Sequence, residues 1–135
     1  MAASSEPPML LELIEQDILR RTKFGVKMTG GPDKLAIECQ MDKRGTMTVY
    51  VLKRNHQWIM SDLCFTVRAA GFMWQRFPQE VRDILEKNST QDNMGELWLY
   101  IDSDSTFYSL CSLLCSMLEI LACAMEIKLK EGKKP

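Results

Sequence analysis

The residues with the strongest claim to chemistry are two aspartates in one turn. Asp102-Ser103-Asp104-Ser105-Thr106 follows the apolar run Leu97 to Ile101 and makes a D-x-D-x-T pattern. In a Mg²⁺-dependent phosphatase built this way, the first Asp attacks phosphorus and the second serves as acid and base. That chemistry also needs a downstream Lys and further carboxylates around the metal. After Thr106 the chain carries no Asp, and one helix takes nearly all that remains. Asp and Ser are also ordinary turn residues, because their side chains bond the neighbouring backbone. An acidic turn is the preferred reading, with a phosphatase built on Asp102 and Asp104 as the lesser one.

Thiols are the next candidates. Cys111 and Cys115 share a helix face, and Cys39, Cys64 and Cys123 complete the set of five. No C-x-x-C pair exists, and the single histidine, His56, falls in a predicted turn. Zinc wants four such ligands converging, so buried free thiols are expected and no metal. His56 has no neighbouring Ser or Cys nucleophile, and Gly30-Gly31-Pro32 lacks the spacing of a phosphate-binding loop. The expectation is a chain with no catalytic residue and no cofactor, not an enzyme.

Charge narrows the partners. With 17 basic and 18 acidic residues the net charge is −1, which argues against binding nucleic acid by phosphate neutralisation. The basic residues are dispersed apart from a tail of Lys128, Lys130, Lys133 and Lys134. An odd cysteine count without a secretory signal points to a reducing cytoplasm. Ten methionines suit either a filled core or a surface that accepts varied partners.

The elements that position these groups are legible from periodicity. At 135 residues one domain is expected over residues 9–131, with residues 1–8 and 132–135 flexible. Pro7 and Pro8 open a helix carrying Leu10, Leu11, Ile14 and Ile18 at helical spacing. Phe24, Val26 and Met28 make a short extended piece before a Thr29–Asp33 turn cluster. Lys34 to Met41 and Thr46 to Lys53 alternate as strands around the hairpin turn Asp42–Gly45. Arg54-Asn55-His56-Gln57 is the next turn. A third strand is expected within Trp58 to Ala69, with Cys64–Val67 its most strand-like part. A helix from Ser61 to Ala70, ended by Gly71, competes with it.

Pro78 opens a middle helix bearing Val81, Ile84 and Leu85, with Asn88 as its stop. Ser89 to Gly95 reads as a polar loop, Glu96 to Asp102 as a strand, and Thr106 to Tyr108 as one more short strand. The long closing helix, Ser109 to Lys130, confines its small or polar residues to one stripe: Ser109, Ser112, Ser116, Glu119, Cys123, Glu126 and Lys130. A surface helix needs an apolar arc of only about 100°. This arc is wider, so covering on two sides is expected, by the domain and by a partner. A membrane span needs about 20 apolar residues. Glu119 and Glu126 interrupt the run at a cost in lipid, so a soluble core helix is preferred. Hairpin-linked strands with helices on them make an α+β fold with an antiparallel sheet, in the order α-βββ-α-ββ-α.

What remains is surface. Phe72, Met73, Trp74 and Phe77 crowd large apolar groups into a link where polar residues are usual. They make either a minor core or a docking patch. Tyr50, Leu52, Trp58, Ile59 and Met60 raise the same question for the two sheet faces.

The order of elements from Leu10 to Lys130 resembles the class I type III secretion chaperones, the Tir-chaperone-like family. The opening helix Leu10 to Arg21, the strand Leu35 to Asp42, the segment Phe65 to Gly71 leading to Pro78, the helix ending Ile84–Asn88, the strand Leu97 to Asp102 and the closing helix carry the likeness. Trp58 to Val67 and the aromatic link fit it least. Five cysteines are many for that family, whose divergent members occur in obligate intracellular bacteria such as chlamydiae.

The resemblance implies a cytoplasmic bacterial chaperone, non-enzymatic and ATP-independent. It would hold the N-terminal region of a secreted effector or gatekeeper protein in a secretion-competent state, working as a homodimer or a heterodimer with another chaperone. It implies a substrate surface of Leu35, Ile37, Val49, Val51, Phe65 and Val67, with Phe72 and Trp74 added from the aromatic link. It implies a pairing surface of Val81, Ile84, Leu85 and Trp98. A regulator that contacts RNA polymerase or a sigma factor, without touching nucleic acid, is the alternative.

Overall fold

A computed structural model describes residues 26–30, 34–40, 45–101 and 106–132. The architecture is α+β, with an antiparallel sheet and a long helix at the C-terminal end. The strands are β1 (Val26–Gly30), β2 (Lys34–Gln40), β3 (Thr46–Arg54), β4 (Gln57–Ser61), β5 (Gln91–Asn93) and β6 (Glu96–Tyr100). The helices are α1 (Phe65–Ala70), α2 (Gln79–Lys87) and α3 (Thr106–Gly132), with a 3₁₀ turn at Trp74–Arg76. Hydrogen-bonded strand order is β1-β2-β3-β4-β6-β5. The expected first helix around Leu10–Arg21 and the Asp102/Asp104 turn lie outside the described residues.

The chain falls into two compact units, one running to Met60 and including Tyr100–Leu110, the other Ser61–Leu99 with Cys111–Pro135. In the first, β2 pairs antiparallel with β1 (Ile37 opposite Met28) and with β3 (Ile37 opposite Val49). Alternation puts Leu35, Ile37, Cys39, Met47, Val49 and Val51 on one face, all buried. The other face is not bare. There Lys34 Nζ lies 4.8 Å from the centre of the half-buried Tyr50 ring; at the end of β3, in step with Val51, Lys53 Nζ lies 6.0 Å from that of Trp58. Each ammonium group lies over the face of its ring, an attractive cation–π placement. Asn55 and His56, with φ 52° and 66°, form the tight hairpin turn whose twist suits two antiparallel strands.

In the second unit, Pro78 precedes α2 and Asn88 ends it, as expected from sequence. Asn88 N–H donates to the Ile84 carbonyl at 3.1 Å, and its Nδ2 donates to the same carbonyl at 3.0 Å and to Glu119 Oε1 at 2.9 Å. Lys87 Nζ meets Glu119 Oε2 at 2.9 Å. The Lys87 hydrogen bond, with that of Asn88, holds the Glu119 carboxyl below the usual range.

Three local readings are corrected. Cys64–Val67 is not strand: β4 stops at Ser61, and Phe65–Ala70 is a helix ended by Gly71 at φ 81°. Thr66 and Val67 favour strands by side-chain shape, but an aspartate cap overrides them. Thr106–Tyr108 is the first turn of α3, not a strand. The supposed loop Ser89–Gly95 contains β5, which pairs with β6 (Asp92 opposite Leu97). All three β5 residues are exposed, so no apolar alternation marked it.

The setting of α3 also departs from expectation. By length and composition it is long and apolar enough to cross a membrane. Yet Ser109 and Ser116 from its polar stripe are buried, along with Leu113, Leu114, Met117 and Ile120, while Cys115, Ala122, Met125 and Leu129 are exposed. Ser116 Oγ bonds Thr90 Oγ1 at 2.6 Å. The hydroxyls face inward and an apolar row faces out.

Candidate functional site

The site is built on the corner where β4 turns into α1. Asp62 is almost fully buried, and its carboxylate gathers three backbone N–H groups. Oδ1 accepts from Cys64 at 2.9 Å and from Leu97 at 3.0 Å, and Oδ2 accepts from Thr66 at 3.0 Å. The Asp62 N–H donates in turn to the Leu97 carbonyl at 3.0 Å. Beside it, Ser61 Oγ donates to Glu96 Oε2 and accepts the Leu63 N–H. One corner therefore caps α1 and ties it to the start of β6. Burial pushes the Asp62 carboxyl up in pKa, against the pull of the N–H groups, and the net direction is upward.

The tight corner forces Leu63 and Cys64 into left-handed backbone, φ 50° and 69°. It also throws Leu63 and Phe65 outward; Phe65 is 51% exposed. A second left-handed pair sits just before β6, beside the same anchor. Met94 and Gly95, φ 52° and 96°, turn β5 into β6, and the Gly95 N–H donates to Asp92 Oδ1 at 2.9 Å. Trp74 lies against Gly95: a Cβ there would meet Trp74 Cβ and Cδ1 at 3.7 Å. Trp74 is still 39% exposed, and its neighbour Met73 and Met94 are more so. Leu63, Phe65, Met73, Trp74 and Met94 thus stand out from elements fastened to one short hairpin.

Contact at 3.7 Å is ordinary, so Gly95→Ala meets no clash. Its cost is conformational, because L side chains avoid this backbone region. Gly95→Ala should lower the unfolding free energy by about 1–2 kcal/mol, read from urea melts. An unchanged midpoint would show that the Met94-Gly95 turn holds some other conformation.

The Cys64, Cys111 and Cys123 thiols are not activated. Burial first, then the carboxylates of Asp62 and Glu96, push Cys64 up in pKa. Burial likewise raises Cys111 and Cys123. A neutral thiol is a poor nucleophile and a poor metal ligand. Among the described residues, no three His, Cys, Asp or Glu side chains are grouped to hold a metal ion.

Of the residues expected to bind a partner, Leu35, Ile37, Val49, Val51 and Val67 are buried within the chain and offer no open surface. Phe65 and Trp74 are exposed and Phe72 is half-buried. Phe77 is buried, so the aromatic link divides between minor core and surface. On the expected pairing surface, Val81 and Leu85 are buried, and Ile84 and Trp98 are half-buried. Leu63 and Met94 carried no sequence signal, because backbone turns expose them. No protein-family model, curated protein or solved structure matches the chain.

Proposed function

We propose that this chain works by holding another polypeptide, in the manner of the secretion chaperones its sequence resembles. The observation that carries this reading is the exposed apolar set Leu63, Phe65, Met73, Trp74 and Met94, held outward on short, well-anchored elements. Soluble proteins seldom leave several large apolar groups together in water unless something covers them. Phe65 and Trp74, each exposed on a short element, would serve as anchors for apolar side chains of an extended segment. β5, last in the strand order, has an outer edge where such a segment would add as a strand. The client on this reading is the N-terminal region of a secreted protein, held in the bacterial cytoplasm without nucleotide or catalysis.

The test is affinity capture from the native cytoplasm, followed by binding of peptides tiled along the captured protein. A secreted protein whose N-terminal peptides bind the wild-type chain is expected. Phe65→Ser and Trp74→Ala should each weaken that binding at least about tenfold, the scale of an interface anchor. Peptide binding indifferent to both replacements would remove this surface from the function.

A further inference from the structure

The cysteines are placed differently from the buried thiols expected of them. Of the five, all free, only Cys39 is buried; Cys64, Cys111 and Cys123 are half-buried and Cys115 is exposed. Two of the accessible ones are neighbours. Cys111 and Cys115 stand about one turn apart on α3, and residues four apart on a helix bring their Cβ atoms to about 5–6 Å. Each thiol feels the other: burial first, and then Cys115, raise the Cys111 pKa. The pair lies on a different element from Leu63, Phe65, Met73, Trp74 and Met94, so it stands independently of the polypeptide-binding reading.

The gap decides what the pair can hold. A disulfide needs Cβ atoms about 3.5–4.5 Å apart, closer than one helical turn allows without bending the backbone. An ion between the sulfurs adds two metal–sulfur bonds, each about 2.3 Å by the zinc–thiolate standard, and bridges the longer span. Zinc itself needs four ligands, and among the described residues no third His, Cys, Asp or Glu joins the pair. The ion that fits is therefore one satisfied by two sulfurs.

We propose that Cys111 and Cys115 form a two-coordinate site for Cu(I). Soft thiolate ligands select this closed-shell ion over the harder divalent metals. Binding is a ligand exchange with no redox step. Each S–H gives its proton to water, each sulfur donates an electron pair to the ion, and the bis-thiolate unit carries one negative charge. A coordinated thiol is deprotonated by the metal itself, so a neutral resting thiol weakens the site without closing it. No acidic side chain of α3 opposes the charge at close range. The helix has none from Thr106 to Leu118, and Glu119, one turn beyond Cys115, is already paired with Lys87 at 2.9 Å. Leu110, Leu113 and Leu114 of the same turns are buried. The half-buried Cys111 thus seats the ion at the edge of the core, and the exposed Cys115 gives it a way in.

Anaerobic titration of the full chain with Cu(I), in competition with the chelator bathocuproine disulfonate, tests this. One ion per chain is expected, with two sulfur neighbours in the X-ray absorption spectrum and unchanged sedimentation. Cys111→Ser and Cys115→Ser should each lower the affinity at least about tenfold, while Cys64→Ser and Cys123→Ser leave it unchanged. Cys115 is solvent-facing, so its replacement spares the fold, and far-ultraviolet circular dichroism checks this. Spacing gives a second check. In the Cys111→Ser chain, Leu118→Cys sets a thiol three residues from Cys115 and should restore binding. Ala122→Cys, about 10.5 Å from Cys115 along the axis, should not. The proposal is overturned by a chain that yields all its Cu(I) to the chelator, by an affinity indifferent to both serines, or by copper held between two chains.

Discussion

Asp62→Ala should lower the unfolding free energy by about 3–4 kcal/mol, because it strands three backbone N–H groups at a largely buried corner. The Cys64, Thr66 and Leu97 amides all lose their acceptor at once, so α1 and the start of β6 loosen together. Asp62→Asn keeps one carbonyl for Cys64 and Leu97 but turns an NH₂ toward the Thr66 amide. Its expected cost is smaller, about 1–2 kcal/mol. Urea melts of both variants measure the order, and an Asn variant costlier than Ala would refute the acceptor role.

The pH dependence has a definite sign. Asp62 is raised in the folded chain above its ordinary value, by burial first. Its protonated form is therefore favoured by folding. The stability it contributes is complete below the unfolded carboxyl pKa and is lost as pH rises through the higher folded value. Asp62→Asn removes that dependence, so the difference in stability between wild type and variant should shift across this window and stay constant above it.

The second large effect is on α3. Leu113 is fully buried, and Leu113→Ala should cost about 3 kcal/mol through lost burial and the cavity left behind. Leu129→Ala, measured at concentrations where the chain is monomeric, should cost less than about 0.5 kcal/mol, because that side chain is already in water. Equal costs would mean that the outward side of α3 is covered within one chain. The pair of variants thus reads which side of the helix is which.

How far the sequence could be read depended on which physical signal dominated each stretch. β2, β3 and β6 were plain because one face is buried and the side chains alternate accordingly. α2 was plain because Pro78 and Asn88 mark its ends. Thr66-Val67 and Thr106-Phe107 misled, because branched and aromatic residues favour strands until a cap or a long packed helix decides otherwise. Ser61-Asp62 ahead of an apolar run was a capping signal, and it outweighs the propensities of the residues after it. Gln91-Asp92-Asn93 looks like loop because an edge strand with both faces wet needs no pattern. Phe65 and Trp74 stood out as large groups in short links. Leu35 or Val51 on a strand cannot reveal whether its own chain covers it, and here it does.

Thr90 and Ser116, joined hydroxyl to hydroxyl deep in the second unit, have a consequence for how α3 chooses its azimuth. A cylinder greasy around most of its circumference can be rolled about its long axis with little change in the oil it hides. Burying one Ser without its mate is penalised at any other roll angle. The Thr90–Ser116 contact and the grip of Asn88 on Glu119 therefore act as a keyway, selecting one orientation among several that hydrophobicity alone would leave nearly degenerate.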